Sequence, residues 1–174
     1  MRLYLMRHAE AGDADARRWP DDGARPLTAE GEREHAVVAE TLARMGVRFD
    51  RLLTSPLVRA RRTAEITATV YGGAPAPEEA RALGDRATLA GFLAVLARLP
   101  RDAAVLAVGH EPFLSATVGA LVSREGAARV VMPKSGVCAI EFDGTPAPGG
   151  GRLLFHLRPR ELLALAAEGP AATR

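Results

Sequence analysis

Short apolar runs alternate with longer stretches of helical period along this chain, and that alternation points to an α/β fold on a mainly parallel sheet. Strand candidates fall at 2–7, 50–54, 78–83, 104–109, 136–142 and 152–158. The third of these, Glu78 to Leu83, carries alanines and charges with little preference for extended backbone. Between the strands, Thr28 is suited to cap a helix that presents Val38, Leu42 and Met45 on one face and stops at Gly46. Ser55 is suited to cap the next, with Pro56 in its first position and Leu57, Ala60, Ala64 and Ala68 along its inner stripe. Leu89, Phe92, Leu93 and Leu96 repeat at helical spacing before Pro100, and Leu114, Thr117, Val118 and Leu121 do so after Pro112. The segment Gly12 to Pro26 has no periodicity and reads as a long surface loop, and Gly144 to Gly151 reads as a hairpin loop.

A chain of 174 residues is one domain's worth, here 1–168, with 169–174 expected to fray. Its 48% apolar and 25% charged composition is that of a soluble globular protein. All 23 basic residues except Lys134 are arginine, yet the net charge is only +2 and the arginines are scattered. No basic run reads as a nucleic-acid footprint. Cys138 is the sole cysteine, so no internal disulfide forms, and four scattered histidines with one thiol lack metal-ligand spacing. No metal or other cofactor is expected. Nothing resembles a signal peptide, and no stretch approaches the ~20 apolar residues of a membrane span. A cytoplasmic location is the expectation, with a monomer the simpler assembly.

Three strand ends carry the chemistry. Arg7-His8 follows the first strand, Ser55-Pro56 with Arg59 follows the second, and His110-Glu111-Pro112 follows the fourth. In open parallel sheets, ligands bind at the carboxyl ends of strands, where helix N-termini converge. All three motifs therefore fall on one edge. Two arginines suit a phosphoryl group, since guanidinium is permanently charged and forks onto its oxygens. A neutral imidazole attacks phosphorus at physiological pH without further activation, and His8 is the expected nucleophile. Its second ring nitrogen needs an acceptor, such as a backbone carbonyl, to hold the tautomer. His110 is read as a protonated donor to the phosphoryl oxygens. His35, on an inner helix face, and His156, in the last strand, read as structural.

These motifs resemble those of the histidine phosphatase superfamily, and within it the short SixA-like phosphohistidine phosphatases. Arg7-His8-Ala9 matches the first signature, Ser55 to Ala64 the Ser-Pro-x-x-Arg-Ala-x-x-Thr-Ala run, and Gly109 to Pro112 the Gly-His-x-Pro signature. Arg25-Pro26-Leu27-Thr28 with Gly31, and Lys134-Ser135-Gly136-Val137, agree more weakly. The resemblance implies a three-layer α/β/α sandwich of the phosphoglycerate-mutase-like type in its minimal form. It also implies metal-independent phosphohydrolysis through a phosphohistidine intermediate, most readily on a phosphohistidine-bearing protein. The mutase branch carries a sizeable insertion between the second arginine and the second histidine. From Arg59 to His110 the interval is 110 − 59 = 51 residues, room for a helix, a strand and another helix only. A phosphatase of a small phosphorylated metabolite or nucleotide would need the same four residues. The rival from another class is a phosphate- or phosphoprotein-binding module that has lost catalysis, but all four central residues are present and nothing in the sequence supports decay. Members that cleave alkyl phosphates carry an acid for the leaving oxygen; the candidates here are Asp85, Glu10 and Glu111. Lys134 is a candidate for the pocket wall.

Overall fold

The computed structural model describes residues 1–73, 75–125 and 128–168. Six strands form one sheet, β1 (Arg2–Arg7), β2 (Arg51–Thr54), β3 (Pro77–Glu79), β4 (Ala104–Gly109), β5 (Val137–Glu141) and β6 (Arg152–Leu157), in the order β3-β2-β4-β1-β5-β6. Pairings among β1 to β4 are parallel, whereas β5 and β6 join antiparallel to β1 and to each other. The register places Arg7 opposite Gly109, and Thr54 opposite Val108. The three motif-bearing strands therefore end level with one another.

Alternation along the central strands builds the two cores. Leu3 and Leu5 of β1 and Val105 and Ala107 of β4 face α3 (Leu89–Leu96) and α4 (Phe113–Val122), where they meet Phe92, Leu96, Leu114 and Leu121. Tyr4, Met6, Leu106 and Val108 face the other way, onto α1 (Ala29–Arg44), α2 (Val58–Val70) and α5 (Pro159–Ala167), against Val38, Leu42, Ala60, Ala64 and Leu162. Burying both faces is why β1 and β4 read as continuous apolar runs. The result is the three-layer α/β/α sandwich. Truncating a fully buried side chain such as Phe92 costs about 3–5 kcal/mol in such a core.

Several local expectations need correction. Val58, not Pro56, opens α2, and its flanking residue is Leu57. The Ser55 hydroxyl instead accepts the Leu57 N–H at 3.2 Å, one turn early. The third strand is only Pro77–Glu79, because Arg81–Leu83 tightens into a 3-10 turn that buries Leu83. Helix α5 has no counterpart in the periodicity reading. Its start is marked chemically: Pro159 fills the first position and Glu161 accepts the Arg158 backbone N–H at 2.7 Å. Thr28 does cap α1, accepting from the Gly31 N–H at 2.9 Å, and Gly46 ends it with φ +81°. The expected frayed tail, 169–174, lies outside the described residues. No described helix is long and apolar enough to cross a membrane.

Candidate active site

The end of β1 is pinned from both sides. The His8 N–H donates to the Gly109 carbonyl at 3.0 Å, and the Ser135 N–H donates to the carbonyls of Arg7 and His8 at 3.1 and 3.2 Å. His8 is 5% exposed and its ring centroid lies 5.0 Å from that of His110. Its Nδ1 stands 2.6 Å from the Ala9 carbonyl oxygen. A carbonyl only accepts, so Nδ1 carries the proton and Nε2 keeps its lone pair. Burial, against the pull of the Ala9 carbonyl, and the nearby charges of His110, Arg59 and Arg7 push His8 down to about 3. It is neutral at physiological pH.

His110 follows β4, and its Nε2 lies 2.8 Å from Ser55 Oγ at the end of β2. Its Nδ1 is buried without a hydrogen-bond partner among the described residues. Burial and the Arg59 and Arg7 charges lower His110 to about 4, with Asp22 opposing. The sequence predicts a protonated ring at this position. Among the protein's own groups it is neutral, and an incoming phosphoryl dianion is the charge that would raise it.

Both arginines are anchored with donors to spare. Arg7 Nη1 donates to the Met132 carbonyl at 3.0 Å. Arg59 Nη1 donates to the Asp22 carbonyl at 2.8 Å, and its Nη2 stands 3.2 Å from the Asp22 carboxylate. In each arginine Nε is buried without a partner among the described residues. Burial lowers Arg59, with Asp22 the main opposing charge. The hydrogen bond from Arg25, against partial desolvation, and the charge of Arg59 hold Asp22 below the usual carboxylate range. Arg25 in turn is buried, bonding the Ala11 and Gly12 carbonyls at 3.2 and 2.7 Å and Asp22 at 2.7 Å. The 12–26 loop thus wraps back onto the second arginine.

The acid candidates separate. Glu10 accepts both contacts of Lys134, at 2.5 and 2.7 Å, and the Gly12 N–H at 2.7 Å. Desolvation raises its carboxyl, but those bonds win and hold it below its ordinary range. Glu10 is therefore a poor proton donor, and Lys134 is tied to it in a cavity whose wall includes Arg7, Glu30, Glu34 and Pro159. Glu111 spends its carboxylate on the Ser115 N–H and hydroxyl, at 3.1 and 2.5 Å. Asp85 lines the cavity that Arg59, His110 and Glu111 share, and makes no side-chain hydrogen bond among the described residues. Among the described residues, no group of three or more His, Cys, Asp or Glu side chains gathers in metal-binding geometry.

Sequence reasoning missed Asp22, Ser55 as the partner of His110, and the hydroxyls behind His8. Asp22 has no local signal distinguishing it from Asp13, Asp15 or Asp21 in the same loop. Ser55 lies within the Ser-Pro-x-x-Arg-Ala motif, where its local signal is that of a helix cap and carries no sign of His110. The structural reading of His35 agrees with its full burial between Ser135 Oγ and Thr67 Oγ1, at 3.1 and 2.9 Å. His156 pairs across strands with Cys138.

Comparison with known proteins accords with this geometry. The sequence profile of the histidine phosphatase superfamily (branch 1) matches residues 3–81. An uncharacterised protein of Picosynechococcus sp. is 39% identical over 158 residues, 90% of each chain. The phosphohistidine phosphatase SixA of Escherichia coli K12 is 27% identical over 165 residues, covering 93% of this chain and 96% of SixA. A structure of the protein histidine phosphatase SixA complexed with tungstate superposes with a TM-score of 0.77 at 25% identity, over 93% of this chain and 99% of that one.

Proposed function

Because the chain belongs to the histidine phosphatase superfamily, we propose that it is a cytoplasmic, metal-independent phosphatase that works through a phosphohistidine on His8 and acts on protein phosphohistidine. The observation that carries this reading is the 2.6 Å contact of His8 Nδ1 with the Ala9 carbonyl, which leaves Nε2 free to attack. Nε2 forms the bond to phosphorus as the bond to the leaving group breaks. Arg7 and Arg59 take the equatorial oxygens with their spare donors, and His110, protonated by the arriving dianion's field, adds a third. Water then attacks the phosphohistidine, phosphate departs, and His8 returns to its neutral form. Two guanidinium groups and an imidazolium supply the charge that a divalent cation supplies elsewhere, so chelators should leave the rate unchanged.

The substrate class follows from the carboxylates. An alkoxide leaves poorly without a proton, whereas a phosphohistidine imidazole can be protonated before its bond breaks and departs as a neutral ring. Of four nearby carboxylates, Glu10 is held by Lys134, Glu111 by Ser115 and Asp22 by Arg25 and Arg59. A site with so little free acid suits the P–N bond, and the likeness to SixA along the chain supports the same reading. A second reading, a phosphatase of small phosphorylated metabolites, rests on Asp85, which shares a cavity with Arg59 and His110.

The test compares turnover of a phosphohistidine protein with a panel of phosphomonoesters, for wild type and His8→Ala. Rapid quenching should trap an acid-labile, base-stable phosphoryl adduct on the wild type alone. His8→Ala should lose turnover and still bind inorganic phosphate. Substantial activity in that variant would end the His8 reading, and faster alkyl-phosphate turnover would favour the metabolite reading. Phosphate binding without turnover of any substrate would indicate a binding module.

A further inference from the structure

We infer that Thr63 is a positioning residue for His8: its buried hydroxyl holds the Ala9 N–H, and so limits how the adjoining Ala9 carbonyl can turn, which in turn fixes the tautomer and direction of the imidazole. This deepens the proposed role of His8 and rests on it. Thr63 lies on α2, one turn beyond Arg59, and is 0% exposed. Its Oγ1 donates to the Arg59 carbonyl at 2.7 Å, a back-bond that many helical threonines make. That bond alone would be structural. The same oxygen also accepts the Ala9 N–H at 3.0 Å, from a segment 54 residues away. The hydroxyl's one proton and one of its lone pairs are thus both committed, each in a fixed direction.

The neighbouring contacts are directional too. Thr67 Oγ1 donates to the Thr63 carbonyl at 3.0 Å, so it must accept from His35 Nε2 at 2.9 Å. His35 Nδ1 is then the acceptor for the Ser135 hydroxyl at 3.1 Å. Ser135 holds a left-handed backbone conformation, φ 58°, and its N–H closes onto the Arg7 and His8 carbonyls. The segment Arg7-His8-Ala9 is therefore gripped on one side by Thr63 and on the other by Ser135, with His35 joining the two grips. Beyond it, the Glu10 carbonyl accepts the Thr28 N–H at 2.9 Å. The Ala9–Glu10 peptide therefore lies between two pinned peptides, and its carbonyl, that of Ala9, has little freedom to turn from His8 Nδ1.

Replacing Thr63 by valine keeps the shape and removes the hydroxyl, which leaves the fully buried Ala9 N–H unpaired. The carbonyl's hold on the imidazole should then loosen. The experiment measures ¹⁵N imidazole shifts of His8, together with kcat on an aryl phosphate and inhibition by inorganic phosphate. It uses the full chain as wild type, Thr63→Val and Thr63→Ser. Wild type and Thr63→Ser should show a single Nδ1–H tautomer and similar rates. Thr63→Val should show a tautomer mixture and a kcat reduced at least about tenfold, with phosphate inhibition within about twofold, because the arginines bind the anion. Thr63→Ala serves in place of the valine variant should that fail to fold, with the same expected signature. A single Nδ1–H tautomer with wild-type kcat in Thr63→Val would overturn the proposal, as would equal losses in the serine and valine variants. The tautomer readout is independent of turnover. If it shifts as expected while His8→Ala remains active, the nucleophile assignment falls and the Thr63 grip stands.

Discussion

Arg59 reaches across to Asp22 with two contacts, Nη1 to the carbonyl at 2.8 Å and Nη2 to the carboxylate at 3.2 Å, so an arginine placed for phosphate is partly neutralised by the protein's own loop. An incoming phosphoryl group competes with that carboxylate for the guanidinium. The Asp22 side chain is 49% exposed, which screens the pair and limits its strength to about 0.2–1 kcal/mol.

Asp22→Asn should therefore tighten inhibition by inorganic phosphate by about two- to fivefold and slow product release accordingly. The Arg59 bond to the Asp22 carbonyl survives the change, so the arginine keeps its place. Inhibition constants at low and high salt check this, and the gain should shrink as salt rises. Weaker phosphate binding at both salts would mean that the carboxylate chiefly orients Arg59.

The rate should depend on pH asymmetrically. His8, held down at about 3, is neutral far below the ordinary imidazole range, so its acid limb should lie at about that pH. His110, near 4 among the protein's own groups, must gain a proton to donate to the phosphoryl oxygens. Bound dianion raises it, so the alkaline limb of kcat should stand at higher pH than that of kcat/KM. The limbs belong to the coupled pair and not to one ring. Profiles of both constants on an aryl phosphate provide the check; coincident alkaline limbs would contradict the assigned role of His110.

Stability should fall on the acid side for a related reason. His8 is lowered to about 3, and His35 and His110 each to about 4, in every case with burial as the first cause. Unfolded, each would titrate near 6.5. Above that pH neither state binds the proton and no penalty exists. As pH falls below about 6.5 the unfolded chain gains protons that the folded chain does not, costing about 1.4 kcal/mol per pH unit for each ring until the folded values are reached. Urea unfolding at successive pH values should show this slope, and His35→Gln should remove about one proton's worth. An unchanged slope in that variant would show that His35 is not the group responsible.

Gly31 is the position where a single methyl group should do most damage near the site. A Cβ there would stand 2.3 Å from the Glu10 carbonyl oxygen and 3.0 Å from its carbon, both backbone atoms directly downstream of Ala9. Gly31→Ala should cost about 1–3 kcal/mol and lower activity, because the displaced strand end carries His8. Gly144, with nothing within 4 Å of its added Cβ, is the control and should tolerate alanine. Thermal midpoints and rates for the two variants test the contrast.

What was legible in the sequence is what local chemistry dictates. Strand ends, helix stripes and the motif residues Arg7, His8, Arg59 and His110 converge because parallel strands carry their carboxyl ends to one edge, and the register does so within a residue. What escaped is long-range pairing. The partners of Arg59, Ala9 and His35 lie 37, 54 and 100 residues away, on elements whose mutual approach no periodicity encodes. Helix α5 escaped for another reason: Leu162 is its one fully buried residue, too little to make a stripe. The third strand was placed too far along because Leu83 is buried by a tight turn and not by the sheet. Glu10 and Lys134 looked like independent candidates, although each is the other's counter-ion.

The remaining acid decides between substrates. Glu111 caps the first turn of α4 through Ser115, Glu10 is bound to Lys134 and Asp22 to Arg25 and Arg59, so a proton for a leaving alkoxide would have to come from Asp85. Asp85 shares its cavity with Arg59 and His110 and is exposed to solvent. If phosphohistidine is the substrate, the leaving imidazole can take its proton from water, and Asp85→Asn should cost no more than a few-fold. On an alkyl phosphate the same change should cost more, towards the roughly 100-fold typical of a general acid. Glu111→Gln should behave alike on both substrates, since its carboxylate serves the helix and not the leaving group. Rates for the two variants on a phosphohistidine protein and on an alkyl phosphate make the comparison. Equal losses on both substrates for Asp85→Asn would remove the chemical argument for the P–N bond, and a fast wild-type rate on the alkyl phosphate would place the metabolite reading first.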